Sequence, residues 1–219
     1  MLDVLYEDNH LLAVNKPAML PTMGVAADRP SLLVLAKDYI RRKYSKPGEV
    51  YLGIVSRLDA PVTGVVLIAR TSKAAARLTE IFKRRDVQKT YWALVEGRVE
   101  PTSGDLVHFL RKDERHRKMH VATAHAADAQ RAELSYRLQR LVKQNSLLEV
   151  ELHTGRKHQI RVQLANALAP IVGDRKYGSP RAFPLGIALH SRRLAFEHPV
   201  KKSPIVIEAP LPAAWNAFV

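Results

Sequence analysis

The sequence predicts an α+β protein, in which short strands and separate helices occur without the regular β-α-β repeat of a parallel sheet. Apolar runs of strand length, such as Gly64 to Arg70, lie between turn-forming residues. Segments with helical spacing occur singly, each with start and stop signals of its own. No internal repeat and no Gly/Ser-rich linker divides the 219 residues, so we expect one domain over residues 1–219.

The first part of the chain predicts two strands and a helix. Residues 4–15 have the pattern of two short strands around an Asp8-Asn9 turn. Ser31 is a suitable N-cap for a helix that runs to Lys43. The side chains expected to face the core share its helical spacing: Leu32, Leu35 and Ile40.

The segment from Gly64 to Arg70 predicts a strand that is buried on both faces. Ser72 is the expected N-cap of the next helix, which should end at the basic residues 83–85, where cations complement the helix dipole. Its apolar stripe consists of Leu78, Ile81 and Phe82. Residues 89–96 predict a further strand, which Gly97 ends.

Residues 105–131 are less regular and predict a protruding hairpin or loop. Several cations fall within a few positions of one another: Arg111, Lys112, Arg115, Arg117 and Lys118. Beyond them, residues 147–152 predict a strand, residues 157–168 a helix that Pro170 ends, and residues 187–196 and 205–208 two final strands.

The composition favours a nucleic-acid partner. The chain has 35 Lys and Arg against 21 Asp and Glu, a net charge of +14. Such an excess favours a polyanion, through release of counterions from a phosphate backbone. A solvated basic surface or an anionic membrane are alternatives, but no long basic amphipathic helix is visible. We therefore expect RNA or DNA binding, and no membrane partner.

Other features of the composition limit the chemistry. Cysteine is absent, which excludes disulfides and thiolate nucleophiles and is compatible with the cytoplasmic location that we expect. The sequence contains no phosphate-binding Walker loop, no Gly-rich dinucleotide motif and no His-Glu-x-x-His. The nine histidines show no ligand spacing. We expect no cofactor and no metal site.

Asp59 is the first candidate for catalysis. It follows Arg57 in a loop that leads into the buried strand, and a nearby guanidinium would favour the ionised carboxylate that a nucleophile or base requires. On residue type alone, a turn aspartate paired with Arg57 is the more common outcome.

Two further stretches carry candidate functional residues. Arg156, Lys157 and His158 stand at the start of a predicted helix, where their charge opposes the dipole, which indicates either an anionic partner or a solvated surface turn. Tyr91 on the strand 89–96 could stack on an unpaired base or simply be a core residue.

Taken together, these stretches resemble the RluA-type pseudouridine synthases, nearly from end to end and in the family's order. The matching segments are Asn9–Pro21, Arg57-Leu58-Asp59 with Thr63-Gly64, residues 89–97, residues 154–162, residues 170–178, and Leu189-His190 with residues 194–199. The resemblance implies a long bent sheet, mostly antiparallel, that is flanked by helices and crossed by a central basic cleft. It also implies isomerisation of uridine to pseudouridine in structured RNA, with ribosomal RNA favoured over transfer RNA.

The resemblance also implies roles for individual residues. Asp59 would be the catalytic acid, Arg161 its ion-pair partner, and Tyr91 would lie against the target base. Arg57 would help to hold the flipped nucleotide. The other residues expected to bind the substrate are Thr63, Arg156, His158, Arg111, Lys112, Arg117 and Lys118.

The chain departs from the family pattern at a few positions. Ser56 stands where the family usually has His or Asn, and Ala60 replaces a basic residue near the cleft. The first motif begins close to Met1, so we expect no N-terminal S4-like domain, and we expect a monomer. Two alternatives remain open: a non-catalytic RNA-binding protein on the same fold, and a ribonuclease that uses His158 and Lys157.

Overall fold

A computed structural model describes residues 2–26, 29–216 and 218, and it confirms the α+β class. The chain forms two compact units. Unit 1 comprises residues 1–88 and 191–212, and unit 2 comprises residues 89–190 and 213–219. Within the described ranges, no helix has the length and apolar character needed to cross a membrane.

The elements are numbered in chain order. The strands are β1 (Val4–Glu7), β2 (Leu11–Lys16), β3 (Gly53–Ile54), β4 (Thr63–Ala69), β5 (Val87–Val95), β6 (Ser103–Asp113), β7 (Lys118–Ala122), β8 (Gln130–Val142), β9 (Asn145–Leu152), β10 (Leu189–Glu197) and β11 (Pro204–Glu208). The α-helices are α1 (Leu32–Lys43), α2 (Ser72–Arg84) and α3 (Gln159–Ala167). Short 3₁₀ turns lie at Arg175–Tyr177 and Ala213–Trp215.

In unit 1, β2 pairs antiparallel with both β1 and β4, and β11 pairs antiparallel with β10. All seven residues of β4 are buried, as its continuous apolar sequence predicts. Val65 and Leu67 pack into one core cluster with α2, while Val66 and Ile68 pack into a second with α1. Because alternate residues of a strand point to opposite faces, the strand needs apolar side chains throughout.

The two helices of unit 1 lie close to their predicted positions. Ser31 caps α1 as expected, by accepting a hydrogen bond from the Val34 amide. Leu35, expected in the core, is 41% exposed, and Ala36 is buried in its place. For α2 the cap is Thr71, which accepts from the Ala74 amide, rather than Ser72. Either hydroxyl residue could serve, and the backbone geometry selects the first.

In unit 2 the strand order is β5-β9-β8-β6-β7, and every one of these pairs is antiparallel. The basic segment forms the β6–β7 hairpin, so the hairpin expectation is confirmed. β8 has no counterpart among the predicted strands, although its buried side chains alternate: Ala132, Leu134 and Tyr136. α3 begins at Gln159, two residues later than predicted, and ends at Ala167.

Candidate active site

Asp59 lies in the segment between β3 and β4 and is half-buried. Its carbonyl accepts a hydrogen bond from the Val62 amide at 3.0 Å, which closes a turn just before the buried strand. Arg57 is exposed, whereas Thr63, the first residue of β4, is only 4% exposed. The loop position expected for Asp59 is thus the one observed, with two of its expected substrate-binding neighbours in the same unit.

Gly64 allows the chain to pass from this turn into the sheet. Its φ is +110°, and a Cβ built on it would lie 2.2 Å from the carbonyl oxygen of Ser191 in the same unit. No L side chain fits at that distance, and the backbone conformation also favours glycine. The glycine of the Thr63-Gly64 pair therefore has a steric reason.

Lys16 holds the Asp59 loop in place through hydrogen bonds. Its side chain is fully buried at the end of β2, and its Nζ donates hydrogen bonds to the carbonyls of Pro17 at 2.8 Å, Leu20 at 2.8 Å and Ala60 at 3.1 Å. An ammonium group has three N–H donors, so three carbonyls satisfy it. One of those carbonyls belongs to the residue directly after Asp59.

Thr22 provides a second connection between the same two segments. Its hydroxyl donates to the Leu58 carbonyl at 2.9 Å, and the Leu58 amide donates back to it at 3.2 Å. Residues 58 and 60, on either side of Asp59, are therefore bound to Thr22 and to Lys16 at the end of β2, respectively. This arrangement fixes the backbone that carries the carboxylate.

The charge of Lys16 also acts on Asp59. Burial lowers the pKa of Lys16 to about 8, and the negative charge of Asp59 opposes that fall. The buried cation at the end of β2 thus interacts electrostatically with the carboxylate of the Asp59 loop.

In unit 2 the turn before α3 explains two residues of its motif. Thr154 donates from its hydroxyl to the side-chain oxygen of Gln159 at 2.7 Å, and that oxygen also accepts from the Arg156 amide at 2.9 Å. Thr154 itself accepts from the Glu133 amide on β8 at 2.8 Å. Both side chains are buried, and their hydrogen bonds build the turn before α3.

Arg161 on α3 forms a bidentate ion pair with Asp174. Its Nε lies 2.7 Å from one carboxylate oxygen and its Nη2 lies 2.8 Å from the other. The two side chains are 6% and 1% exposed. Two parallel hydrogen bonds fix the plane of the guanidinium, and Asp174 takes two of its five N–H donors.

Tyr177 links the candidate residues of unit 2. Its ring lies 5.1 Å from the guanidinium carbon of Arg161, and its hydroxyl is 2.7 Å from Nδ1 of His158. The same hydroxyl accepts from the Met119 amide on β7 at 2.9 Å. His158 precedes α3 with a φ of +53°. Tyr177 therefore contacts the start of α3, the buried arginine of that helix and the basic hairpin.

The cations of the hairpin are largely open to solvent. Arg111, Lys112 and Arg117 are exposed, and Lys118 is half-buried. Lys112 pairs with Glu114 at 2.5 Å, and the Arg117 carbonyl accepts from Lys176 at 3.2 Å. Arg156, also exposed, donates from Nε to the Arg131 carbonyl at 3.1 Å. These side chains form a basic surface on unit 2, as the sequence indicates.

Tyr91 lies on β5, half-buried, opposite Val150 of β9. The expected residues thus fall into two sets: Asp59, Arg57 and Thr63 in unit 1, and the remainder in unit 2. The pairing of Asp59 with Arg161, which the sequence leads us to expect, would link one residue of each set and stays a prediction. In the described part of the chain no cluster of three or more His, Asp or Glu side chains is placed to hold a metal ion.

Sequence reasoning assigned no role to Lys16, Thr22, Asp174 or Tyr177. A signal existed for Lys16, because a lysine at the end of an apolar strand and before a proline is an unusual place for a solvated cation. Asp174 follows a glycine in a matching segment, which marks a turn but does not identify its partner.

Comparison with known proteins identifies the family. The model of the RNA pseudouridylate synthase family matches residues 10–166. The chain therefore belongs to this family, and the resemblance to RluA-type enzymes is confirmed.

The relatives include enzymes named for two kinds of RNA. Ribosomal large subunit pseudouridine synthase D of Xanthomonas campestris is 36% identical over 225 residues, which cover 96% of this chain and 66% of that protein. The chain thus spans slightly less than two thirds of that relative. tRNA pseudouridine synthase C of Vibrio cholerae is 29% identical over 238 residues and is covered to 95% of its length.

A solved structure agrees with the fold. The human protein described as RNA Pseudouridylate Synthase Domain Containing 4 superposes with a TM-score of 0.81 at 25% identity. The superposition covers 98% of this chain and 92% of that one. The pseudouridine synthase fold expected from the motifs is therefore confirmed.

Proposed function

We propose that this protein is an RNA pseudouridine synthase that isomerises uridine in structured RNA. One observation carries the proposal. In a chain of this family, Asp59 lies on a loop whose residues on either side of Asp59 are held by hydrogen bonds to Lys16 and Thr22. Ribosomal RNA is the favoured substrate, because the relative of 36% identity is named for the large ribosomal subunit. Transfer RNA is the second candidate, from the relative named for it.

The proposed reaction breaks the N1–C1′ bond of uridine, turns the uracil and rejoins it to the ribose through C5. The base must first leave its stack, which costs a few kcal/mol and least for an unpaired nucleotide. Asp59 would either attack C1′ or remove the C2′ proton. Both routes need a carboxylate held in one orientation, which the fastened loop supports.

Roles for the other residues follow from their chemistry. Arg161 would orient Asp59 and favour its ionised form, through N–H groups other than the two bound to Asp174. Tyr91 would lie against the uracil, and Arg57 would hold the flipped nucleotide. Thr63, Arg156 and His158 would contact the substrate near these groups. The cations of the hairpin would bind phosphates farther along the RNA.

A tritium-release assay tests the proposal. RNA that carries uridine tritiated at C5 loses its label when C5 becomes the glycosidic carbon. We expect release from unmodified transcripts of large-subunit ribosomal RNA or transfer RNA with the natural protein, and none with Asp59→Ala. Asp86→Ala is the matched control, because Asp86 is an exposed carboxylate of the same unit. Tight RNA binding with no release by any of the three proteins would favour a non-catalytic binding protein instead.

The setting of the reaction is also part of the proposal. The net charge of +14 supports a polyanionic partner, and we expect the protein to act on RNA in the cytoplasm as a monomer. Light scattering coupled to size exclusion, on the protein alone and on its RNA complex, measures the stoichiometry. A mass of two chains per particle would contradict the monomer.

A further inference from the structure

Two methionines of unit 1 are exposed on one short loop. Met19 is 61% exposed and Met23 is 43% exposed, and both lie in the segment of residues 17–23, here named the methionine loop. The chain has four methionines, of which Met119 is buried. A single exposed apolar residue is ordinary on a protein surface, but two on seven residues indicate a small apolar patch.

The methionine loop is fastened to the segment that carries Asp59. The carbonyl of Leu20, next to Met19, and the carbonyl of Ala60 accept hydrogen bonds from the same ammonium group of Lys16. Thr22, next to Met23, exchanges two hydrogen bonds with Leu58. Met23 is thus one residue from Thr22, which bonds the residue before Asp59, and Met19 is one residue from Leu20, whose carbonyl shares the Lys16 ammonium with the residue after Asp59.

The backbone at Met19 is in the left-handed region, with a φ of +63°. Residues with a side chain adopt this region at a cost, and Gly or Asn would be the ordinary choice. Here the conformation is held by the carbonyl contacts of Lys16 on either side, at Pro17 and Leu20. A long apolar side chain is therefore presented to solvent on a constrained backbone, at a position where core packing does not require it.

We propose that Met19 and Met23 contact nucleobases of the RNA substrate beside the target uridine. This inference rests on the proposed function and adds to it a pair of substrate-binding residues. A thioether makes favourable contacts with aromatic rings, and an unbranched side chain adapts to bases of different size. Methionine is also among the apolar side chains that proteins insert between base steps. Arg57 would supply charge at the same surface, and the methionines would supply apolar contact.

Substitution by a polar residue of similar length tests the contact. The double variant Met19→Gln, Met23→Gln should bind unmodified transcripts of ribosomal and transfer RNA about tenfold more weakly. KM should rise while kcat stays near that of the natural protein, because the residues hold flanking bases and not the reacting atoms. Val206→Thr is the matched control, since Val206 is 55% exposed on β11 of the same unit.

The salt dependence separates this contact from phosphate binding. Apolar contacts release no counterions, so the slope of log K against log salt should be the same for the double variant and the natural protein. Unchanged affinity and unchanged KM in the double variant would overturn the inference. A flatter slope would also contradict it, because the weaker binding would then be electrostatic in origin.

Oxidation supplies a second measurement. Hydrogen peroxide converts accessible methionines to the polar sulfoxide. RNA affinity of the natural protein should fall on oxidation, whereas the variant Met19→Leu, Met23→Leu should keep its affinity. Equal losses in both proteins would overturn the inference. Binding is measured apart from tritium release, so a natural protein that binds RNA without isomerising it would contradict the proposed function and still leave the methionine contact testable.

Discussion

Arg161 and Asp174 form a buried bidentate ion pair within unit 2, with nitrogen-to-oxygen distances of 2.7 and 2.8 Å. The arginine that we propose for catalysis is therefore oriented by a carboxylate thirteen positions later in the chain. Its guanidinium also faces the ring of Tyr177. One side chain thus supports the packing of unit 2 and, in the proposed mechanism, the reaction.

Breaking this pair should reduce both stability and activity. Asp174→Ala leaves a buried guanidinium without its partner, for which we expect a loss of about 3–5 kcal/mol in the free energy of unfolding. Arg161→Lys keeps the positive charge but loses the planar guanidinium that donates two parallel hydrogen bonds, and should lower tritium release by more than tenfold. Urea unfolding measures the first effect. Arg137→Ala is the control, since Arg137 is 69% exposed in its pair with Glu149 and should cost about 1 kcal/mol or less.

Lys16→Met should loosen the Asp59 loop. The substitution keeps a long side chain but leaves three carbonyls without their donor, and a buried polar group left unsatisfied costs about 1–3 kcal/mol. We expect lower stability and a fall in kcat larger than the change in KM, because the carboxylate loses its fixed position. Lys43→Met serves as the control, on a half-exposed lysine of α1. A variant of Lys16 with the kcat of the natural protein would show that the fastening is not needed.

Activity should also decline as Lys16 loses its proton. Burial lowers the pKa of this lysine to about 8, so the ammonium becomes neutral on going from pH 7 to pH 9. Deprotonation removes one N–H donor and the positive charge near Asp59. A kcat profile over this range at constant ionic strength should fall around pH 8 for the natural protein. For Lys16→Met the kcat profile should be low and flat between pH 7 and pH 9. If kcat declined in parallel in both proteins, the decline would belong to another titrating group.

Asp8 should make unit 1 sensitive to acid. Burial opposes its ionisation, but hydrogen bonds from Lys201 and from the amides of His10 and Leu11 outweigh it and hold the pKa of Asp8 well below its usual range. A folded pKa below the unfolded value gives stability that is present above about pH 4 and is lost as the pH falls. The Tm of the natural protein should therefore drop more steeply between pH 5 and pH 2.5 than that of Asp8→Asn.

The cations of the β6–β7 hairpin should determine much of the salt dependence of RNA binding. Replacing Arg111, Lys112, Arg117 and Lys118 by Gln should weaken binding and reduce the slope of log K against log salt, by about one for each phosphate that the protein no longer binds. Lys73→Gln and Lys83→Gln on α2 are charge controls in unit 1. An unchanged slope would identify the hairpin cations as a solvated surface.

Tyr91→Phe separates packing from chemistry at the target base. The substitution keeps the ring on β5 and removes the hydroxyl, so the ring should still lie against the base while any proton transfer by the phenol is abolished. We expect a KM close to that of the natural protein and a kcat at least tenfold lower. Full activity would limit Tyr91 to packing.

The sequence predicted best where periodicity and burial agree. β4 is apolar at every position and every position is buried, which made it recognisable. Leu35 shows the limit of periodicity as a guide to burial. Its neighbour Ala36 is buried instead, because a one-residue shift in helix phase exchanges the buried and the exposed position. β8 was missed because its polar residues mask the alternation of Ala132, Leu134 and Tyr136.

For the candidate site residues, the sequence indicates residue types but not their contacts. Asp59 and Arg161 stood out in motifs, but Lys16 and Asp174 act on them across 43 and 13 positions of sequence, and such pairings arise from the fold. Thr154 and Gln159 show the reverse case. They belong to the same motif as Arg161, yet their hydrogen bonds build the turn before α3.

Unit 1 is assembled from two distant parts of the chain, and this has a consequence for synthesis on the ribosome. Asp8 contacts His198 at 3.0 Å and Lys201 at 2.8 Å, so these partners leave the exit tunnel long after it does. At about 5–20 residues per second, the roughly hundred intervening residues of unit 2 delay completion by about 5–20 s. During that time the apolar strands β2 and β4 lack the closing hairpin of β10 and β11. The nascent chain is therefore most prone to chaperone binding and to aggregation just before its last strands emerge from the ribosome.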